Sequence, residues 1–218
     1  MRIALIHALT HSIAPINHAL VQMWPAASRV NLLDDSLSAD LAANNGVLDE
    51  AMHERFVTLA DYAVSCGADG ILFTCSAFGS CIERVARRHS QLPVLKPNEA
   101  MIAEAVSAVS VSGQAIGLIA SFAPTLVSMP PEFPSNATLR TDLVADAMDA
   151  LNAGDVAAHD ALVVGAAMRL KSQNVGVIAL AQFSMARAAT AVAAATGLPV
   201  LTTPATAIRL LKTRLGIA

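Results

Sequence analysis

Short runs of consecutive apolar residues alternate along the chain with longer stretches whose apolar positions recur every third or fourth residue. The first pattern fits strands buried on both faces, and the second fits amphipathic helices. Residues 3–6 read as the opening strand and 30–33 as the next. Between them a helix over 11–24 is closed by Pro25. The polar run Asp34, Asp35, Ser36 follows. Over 48–66, Met52, Phe56, Leu59, Ala60, Ala63 and Val64 share one helical face, and Gly67 ends the element. Strands at 70–73 and 92–95 flank a helix at 80–89, and Asn98 opens a further helix through 109.

The second half repeats this grammar. A strand at 115–119 is followed by a long connection marked by Pro124, Pro130, Pro131 and Pro134. Helices at 145–151 and 155–173 are separated by Gly154. A strand at 175–180, a helix at 185–196, a strand at 198–201 and a terminal helix from 205 complete the chain. This alternation predicts an α/β fold of parallel sheets flanked by helices. The tetrapeptide Leu92-Pro93-Val94-Leu95 recurs as Leu198-Pro199-Val200-Leu201, and Gly70 recurs as Gly176, both 106 residues on. The repeat predicts two pseudo-repeated lobes, 1–97 joined by the terminal helix 205–218, and 98–204. Their strand ends would face a ligand cleft between the lobes.

Composition adds three constraints. Of 218 residues, 55% are hydrophobic and 14% charged, which suits doubly covered sheets, while aromatics at 4% leave the core to Ala, Val, Leu and Ile. The formal net charge is −3, and no basic stretch with interleaved aromatics points to nucleic acid. The one dense cationic cluster, Arg84, Arg87 and Arg88 beside Glu83, reads as a solvated helix face. No run is long and apolar enough for a membrane span. The opening MRIALIHALTHS breaks at His7 before any cleavage signal, so it reads as a strand and not a leader. Three cysteines, Cys66, Cys75 and Cys81, suggest reduced thiols and a cytoplasmic location. The apolar content makes a homodimer the expected assembly.

Chemistry concentrates at Asp69-Gly-Ile-Leu-Phe-Thr-Cys-Ser-Ala-Phe-Gly79. Cys75 falls between a strand end and a helix start. Free N–H groups and the positive helix end are expected to lower its pKa and to hold a carboxylate, with Thr74, Ser76 and Ala77 beside it. Cys66 and Cys81 lie within helical patterns and read as structural.

The run ADGILFTCSAFGSCIERV resembles the first cysteine motif of the aspartate/glutamate/hydantoin racemase family, and VGVIALAQFSMARAA resembles the second. The resemblance covers nearly the whole chain and implies a cofactor-independent reaction. In the family one cysteine removes a proton beside a carboxylate or carbonyl, and a second returns one to the opposite face. This chain departs at the second motif. Alignment puts Gln182 in the cysteine position, whereas the internal Leu-Pro-Val-Leu echo would put Ala181 there. Neither is a thiol. Gln182 could instead donate a hydrogen bond to an enolate or carboxylate. One-cysteine decarboxylases of the arylmalonate type, and isomerases in which a cysteine adds to a double bond, are the family chemistries that suit one thiol.

Further candidates are His7, at the end of the first strand, as a second acid/base or carboxylate anchor, and Thr10 and His11 in the following loop. Ser121 and Thr125 follow the matching strand of the second lobe, and Phe183 and Ser184 follow Gln182. Lys96 could attract an anion, Asn98 reads as a helix cap with Glu99 in the first turn, and Ser184 reads equally as a cap. Phe78, Phe122 and Phe183 read equally as pocket or core. There is no dinucleotide fingerprint, phosphate loop or nucleophile elbow, and no metal-ligand spacing among the histidines. No metal or nucleotide cofactor is therefore expected. The expected function is a racemase-like isomerase acting on a small carboxylate through Cys75. The alternatives are a one-cysteine decarboxylase, a non-catalytic carboxylate-binding protein, or another cysteine-dependent reaction.

Overall fold

The apolar runs form the inner strands, where every residue must be covered on both faces. The computed structural model describes residues 1–217. The chain divides into two compact units, Met1–Pro97 with the segment from Ala207, and Asn98–Thr206. The first unit contains β1 (Arg2–His7), α1 (Ile13–Met23), β2 (Ser28–Leu33), α2 (Leu37–Ala43), α3 (Glu50–Ser65), β3 (Gly70–Phe73), α4 (Gly79–Arg88) and β4 (Val94–Leu95). Its parallel sheet runs β2-β1-β3-β4. The second unit contains α5 (Glu99–Val109), β5 (Ala115–Ala120), α6 (Ala123–Ser128), β6 (Leu139–Leu143), α7 (Asp146–Asn152), α8 (Val156–Lys171), β7 (Val175–Leu180), α9 (Ala189–Thr196) and β8 (Val200–Thr202). Its sheet repeats the order as β6-β5-β7-β8, again parallel. The last helix, α10 (Thr203–Arg214), starts in the second unit and ends in the first. Two four-stranded parallel sheets flanked by helices agree with the fold class read from the sequence.

Strand alternation sorts the core. In the first unit Ala4, Ile6, Ala8, Ile71 and Phe73 pack against Met52, Phe56, Ala60 and Ala63 of α3 and Ile82 and Val85 of α4. Gly70 points to the opposite face, where an added Cβ would lie 3.1 Å from Leu211 Cδ1 of α10. In the second unit Ile119, Ile178 and Leu180 pack on Val163, Ala166 and Leu170 of α8. The other face meets Met101, Ile102 and Ala105 of α5.

Several boundaries differ from expectation. The helix read over 48–66 begins at Glu50, because the Asp49 carboxylate accepts the Met52 N–H at 2.9 Å. The strands read over 92–95 and 198–201 shorten to Val94–Leu95 and Val200–Thr202. The helix read over 185–196 is a 3-10 stretch, Phe183–Ala188, followed by α9. The polar run after Asp34 leads into α2, and the proline-rich connection contains α6 and, beyond it, the edge strand β6. That strand, Leu-Arg-Thr-Asp-Leu, is mostly exposed and carries no buried run to mark it. The arginine cluster is a solvated face with a structural use. Arg84 pairs with Glu50 and Glu54, and Arg88 and His89 pair with Asp61, tying α4 to α3. Exposed pairs of this kind contribute little to stability, because water screens them.

Phe56 supports the end of β3. Its ring lies 5.3 Å from that of Phe73 and 4.9 Å from that of Phe78, and it is buried. Phe56→Ala is therefore expected to cost about 3–5 kcal/mol, through lost burial and the cavity it leaves. A urea unfolding midpoint unchanged by the substitution would show that the cluster does not hold the strand end.

Candidate active site

Cys75 follows the last residue pair of the β1–β3 ladder. The Thr74 N–H donates to the Ile6 carbonyl at 3.0 Å, and Cys75 stays extended at φ −125°, ψ 124°. A 3-10 turn, Ser76–Phe78, intervenes before α4 starts at Gly79. The residue is half-buried, and its side chain packs against the α3/α4 core with Phe73 and Ala77. With Ile6, His7, Ala8, Leu37, Phe56 and Phe73 it lines a narrow, largely apolar gap with no room for a water molecule.

Burial pushes the Cys75 thiol up to about 11, against a smaller opposing pull from the Ala77 N–H. This reverses the expected depression. The turn that follows Cys75 is three residues long, so few aligned amides face the sulfur, while desolvation penalises the thiolate directly. The thiol is protonated at neutral pH. Cys81 is fully buried and also pushed up to about 11, consistent with a structural residue, and Cys66 is half-buried.

His7 lies in a fully determined polar chain. Arg29 Nε, which can only donate, bonds Asn17 Oδ1 at 3.0 Å. Asn17 Nδ2 therefore donates to Asn31 Oδ1 at 2.8 Å. That oxygen also takes the His7 Nε2–H at 2.9 Å, which leaves Nδ1 to accept from the Thr74 hydroxyl at 2.9 Å. His7 is fully buried, and desolvation lowers its pKa below the ordinary 6.5 despite the Asn31 hydrogen bond. Both ring nitrogens are engaged, and alternation puts His7 and Thr74 on the sheet face opposite the one that carries Phe73 and Cys75.

The second unit contains the counterpart. The Ala181 N–H donates to the Ile119 carbonyl at 2.9 Å, as Thr74 does to Ile6. The next residue, Gln182, is extended at φ −121°, ψ 150° and precedes a 3-10 stretch, as Cys75 does. Gln182, not Ala181, is thus the counterpart of Cys75. The Leu-Pro-Val-Leu echo misleads by one position because Ile71 pairs Val94, 23 residues on, whereas Ile178 pairs Val200, 22 residues on; the β5–β7 ladder separately has a bulge, where Ala115 pairs Val175 but Ile116 pairs Val177. Gly176 is the extra residue, and an added Cβ there would lie 3.1 Å from Val109 Cγ1 of α5. The Gln182 carbonyl accepts from the Ser121 N–H at 2.9 Å, with the Ser121 hydroxyl at 3.5 Å. Its amide donates to Thr125 Oγ1 at 3.1 Å.

The remaining candidates scatter. Thr10 is exposed, and Ser76 and Ala77 are half-buried beside Cys75. Ser121, Thr125 and Ser184 are buried, and Gln182 is half-buried. Phe78 and Phe183 are core, while Phe122 is exposed, so Phe56 and Phe73 are the aromatics at the Cys75 gap. Lys96 pairs with Glu83 at 3.0 Å. Asn98 occupies the cap position of α5 at φ −107°, ψ −14° but makes no capping bond, and both its side-chain polar atoms are buried without partners. Ser184 caps no helix. Asn17, Asn31 and Ser12 were not singled out from the sequence, where short polar residues beside a strand carry no distinguishing mark. Among the described residues no three His, Cys, Asp or Glu side chains gather as a metal site, and no helix is long and apolar enough to cross a membrane.

No protein-family model and no curated protein matches the sequence. Solved structures do match the fold. An allantoin racemase from Klebsiella pneumoniae superposes with a TM-score of 0.73 at 17% identity, over 100% of this chain and 89% of that one. A glutamate racemase from Bacillus anthracis gives 0.72 at 14% identity, over 99% and 82%. The chain has the fold of the Asp/Glu/allantoin racemases. A mutant of arylmalonate decarboxylase in its liganded form also shares this fold, with a TM-score of 0.65 at 15% identity, over 99% and 92%.

Two measurements test the electrostatics. Iodoacetamide labelling of Cys75, followed by mass spectrometry, is expected to accelerate continuously from pH 7 to beyond pH 10. A plateau below pH 8 would mean that the thiol is activated after all. For His7, the unfolded chain takes up the proton first as pH falls, because the folded pKa lies below 6.5. The stability contributed by neutral His7 is therefore present above about pH 6.5 and is lost as pH falls from there towards the folded value. His7→Gln keeps a donor for Asn31 and an acceptor for Thr74, and should unfold in urea with a flatter pH dependence between 7.5 and 5. An equally steep dependence would place the titration elsewhere.

Proposed function

We propose that this chain is a cofactor-independent carbon-acid enzyme of the racemase/isomerase kind, acting on a small amino-acid-like or carboxylate substrate with Cys75 as its one reactive thiol. The observation that carries the reading is positional. Cys75 lies two residues beyond an inner parallel strand, at the carboxyl edge of the sheet where α/β sheets take ligands, and its counterpart in a second, like-folded unit is Gln182. A glutamine cannot exchange protons at ordinary pH, so any acid/base step at these paired positions falls to Cys75. Thr74, Ser76 and Ala77 would contribute neighbouring hydrogen-bond groups, and Ser121, Thr125, Gln182, Phe183 and Ser184 are the corresponding candidate binding groups of the second unit.

The protonated state of the thiol favours a second reading within the same chemistry, a decarboxylase of the arylmalonate type. A thiol pushed up to about 11 is a proton donor at neutral pH and a scarce base. In that reaction the substrate's C–C bond breaks, its electron pair enters an enediolate, and CO₂ leaves. The Cys75 S–H then gives its proton to the carbon from one face, and the thiolate recovers a proton from water. Racemisation would begin with removal of a Cα proton by the small thiolate fraction and would need a donor on the other face.

Amino acids, hydantoins, aryl malonates and maleate incubated in deuterated buffer and followed by NMR separate these readings. Deuterium at Cα with inversion indicates racemisation, and loss of CO₂ with deuterium at the new C–H indicates decarboxylation. Either should fall by about 10²–10⁴-fold in Cys75→Ala. Turnover that survives the substitution would remove Cys75 from the mechanism. No turnover on any substrate would favour a carboxylate-binding protein.

A further inference from the structure

Corresponding helices of the two units meet solvent with different chemistry. By their order in the repeat, α3 and α4 of the first unit correspond to α8 and α9 of the second. The outer positions of α3 and α4 carry Glu50, Glu54, Asp61, Glu83, Arg84 and Arg88. The outer positions of α8 are Ala157, Ala161, Leu162, Val164, Gly165 and Met168, and Met168 is 45% exposed. Beside α8, and packed against it, α9 turns Thr190, Ala191, Ala194 and Ala195 to solvent and has no charged residue. A helix that is apolar on every side belongs inside a structure, yet α8 is covered only where Val163, Ala166 and Leu170 meet the sheet. Gly165 adds to the anomaly. A Cβ there would find no neighbour nearer than the Arg169 guanidinium, at 3.7 Å, so nothing within the chain requires a glycine in mid-helix, where it weakens the helix. Ala157, Ala161 and Gly165 recur every fourth residue, which lets a second backbone come close.

Charges at the rim identify what covers this face. By helical period Asp155 and Arg169 share one edge of α8, and Asp160 and Lys171 share the other. On each edge the acid stands nearer the N-terminus. Asp155 accepts from the Ala158 N–H, and among the described residues it has no cationic partner, nor Lys171 an anionic one. A second α8 laid antiparallel across the face, about a twofold axis near Ala161 and Val164, brings Asp155 towards Arg169 and Asp160 towards Lys171. A parallel copy brings acid towards acid and base towards base. Antiparallel packing also opposes the two helix dipoles. We propose that the outer face of α8, continued over α9, is the interface of a twofold homodimer in which the two α8 helices pack antiparallel. Arg169 and Asp160 keep their pairs with Asp142 and Arg187 at its rim. The dimer does not depend on the carbon-acid reading.

Sedimentation equilibrium of the full chain across micromolar concentrations is expected to show a reversible dimer. Ala161→Glu puts an unpaired carboxylate at the centre of the face, twice per dimer, and should weaken association by at least about a hundredfold while the far-UV circular dichroism stays that of the wild type. Lys171→Glu sets an acid against Asp160 and should weaken association by about tenfold. Orientation is read from disulfides formed under mild oxidation and located by mass spectrometry. Chains carrying Ala157→Cys, mixed with chains carrying Met168→Cys, should link position 157 to position 168, and neither variant alone should link to its own copy at the substituted position. A chain that is monomeric throughout, a dimer indifferent to Ala161→Glu, or links between two positions 157 in place of 157 to 168 would each overturn the proposal. If Ala161→Glu does not fold, the wild-type sedimentation and the cross-links decide it alone.

Discussion

The last backbone N–H groups at the carboxyl end of a parallel sheet have no further ladder to join, and each must find an acceptor or lose the equivalent of a hydrogen bond. In this chain the requirement arises twice, beyond β1 and beyond β5, because the two units share one strand order. The Ile6 and Ile119 carbonyls take the Thr74 and Ala181 N–H groups and fix the register up to that point. One residue later the solutions part. In the second unit a side chain from β7's extension closes the end by supplying its own carbonyl to Ser121. In the first unit the corresponding side chain is a cysteine, too short and too weak an acceptor to do the same.

That difference places the electrostatics. Cys75 sits over Phe73 and the α3 core, so desolvation dominates its titration and keeps the proton on sulfur. The polar support of the same strand end lies on the other face, where His7, locked between Asn31 and Thr74, is held neutral. One face of the strand end is apolar and carries the thiol, and the other is a hydrogen-bonded brace anchored at Arg29. Neither face supplies a charge close to the sulfur by way of His7, which is why a protonated thiol, and not an activated thiolate, is the resting species.

The architecture was largely legible in the sequence, because β1, β3, β5 and β7 are buried on both faces and so read as unbroken apolar runs. What escaped detection was set by edges and by tertiary partners. The strand β6 is exposed and polar, with Asp142 turned to Arg169 of α8, and leaves no hydrophobic signature. The bulge at Gly176 is one inserted residue in a strand, and the path from Ile178 to Val200 is one residue shorter than that from Ile71 to Val94, so the Leu-Pro-Val-Leu echo lies one position off the strand ends. His7 looked chemical because a histidine at a strand end is compatible with either role, and only Asn31, on a neighbouring strand, decides between them. The direction of the Cys75 pKa is set by burial against the α3/α4 core, which a position between a strand end and a helix start does not reveal.

A two-thiol arrangement and the Gln182 lock are mutually exclusive at one position. A cysteine at 182 would leave the Ser121 N–H and the Thr125 hydroxyl, both buried, without the partners they now have. Unsatisfied buried groups cost about 1–3 kcal/mol each, a large share of a domain's net stability, unless a ligand satisfies them. The carboxyl end of the second unit's sheet is therefore closed by the chain itself. Under the carbon-acid reading proposed above, a single thiol suits a one-step protonation better than an exchange that needs two acid/base groups.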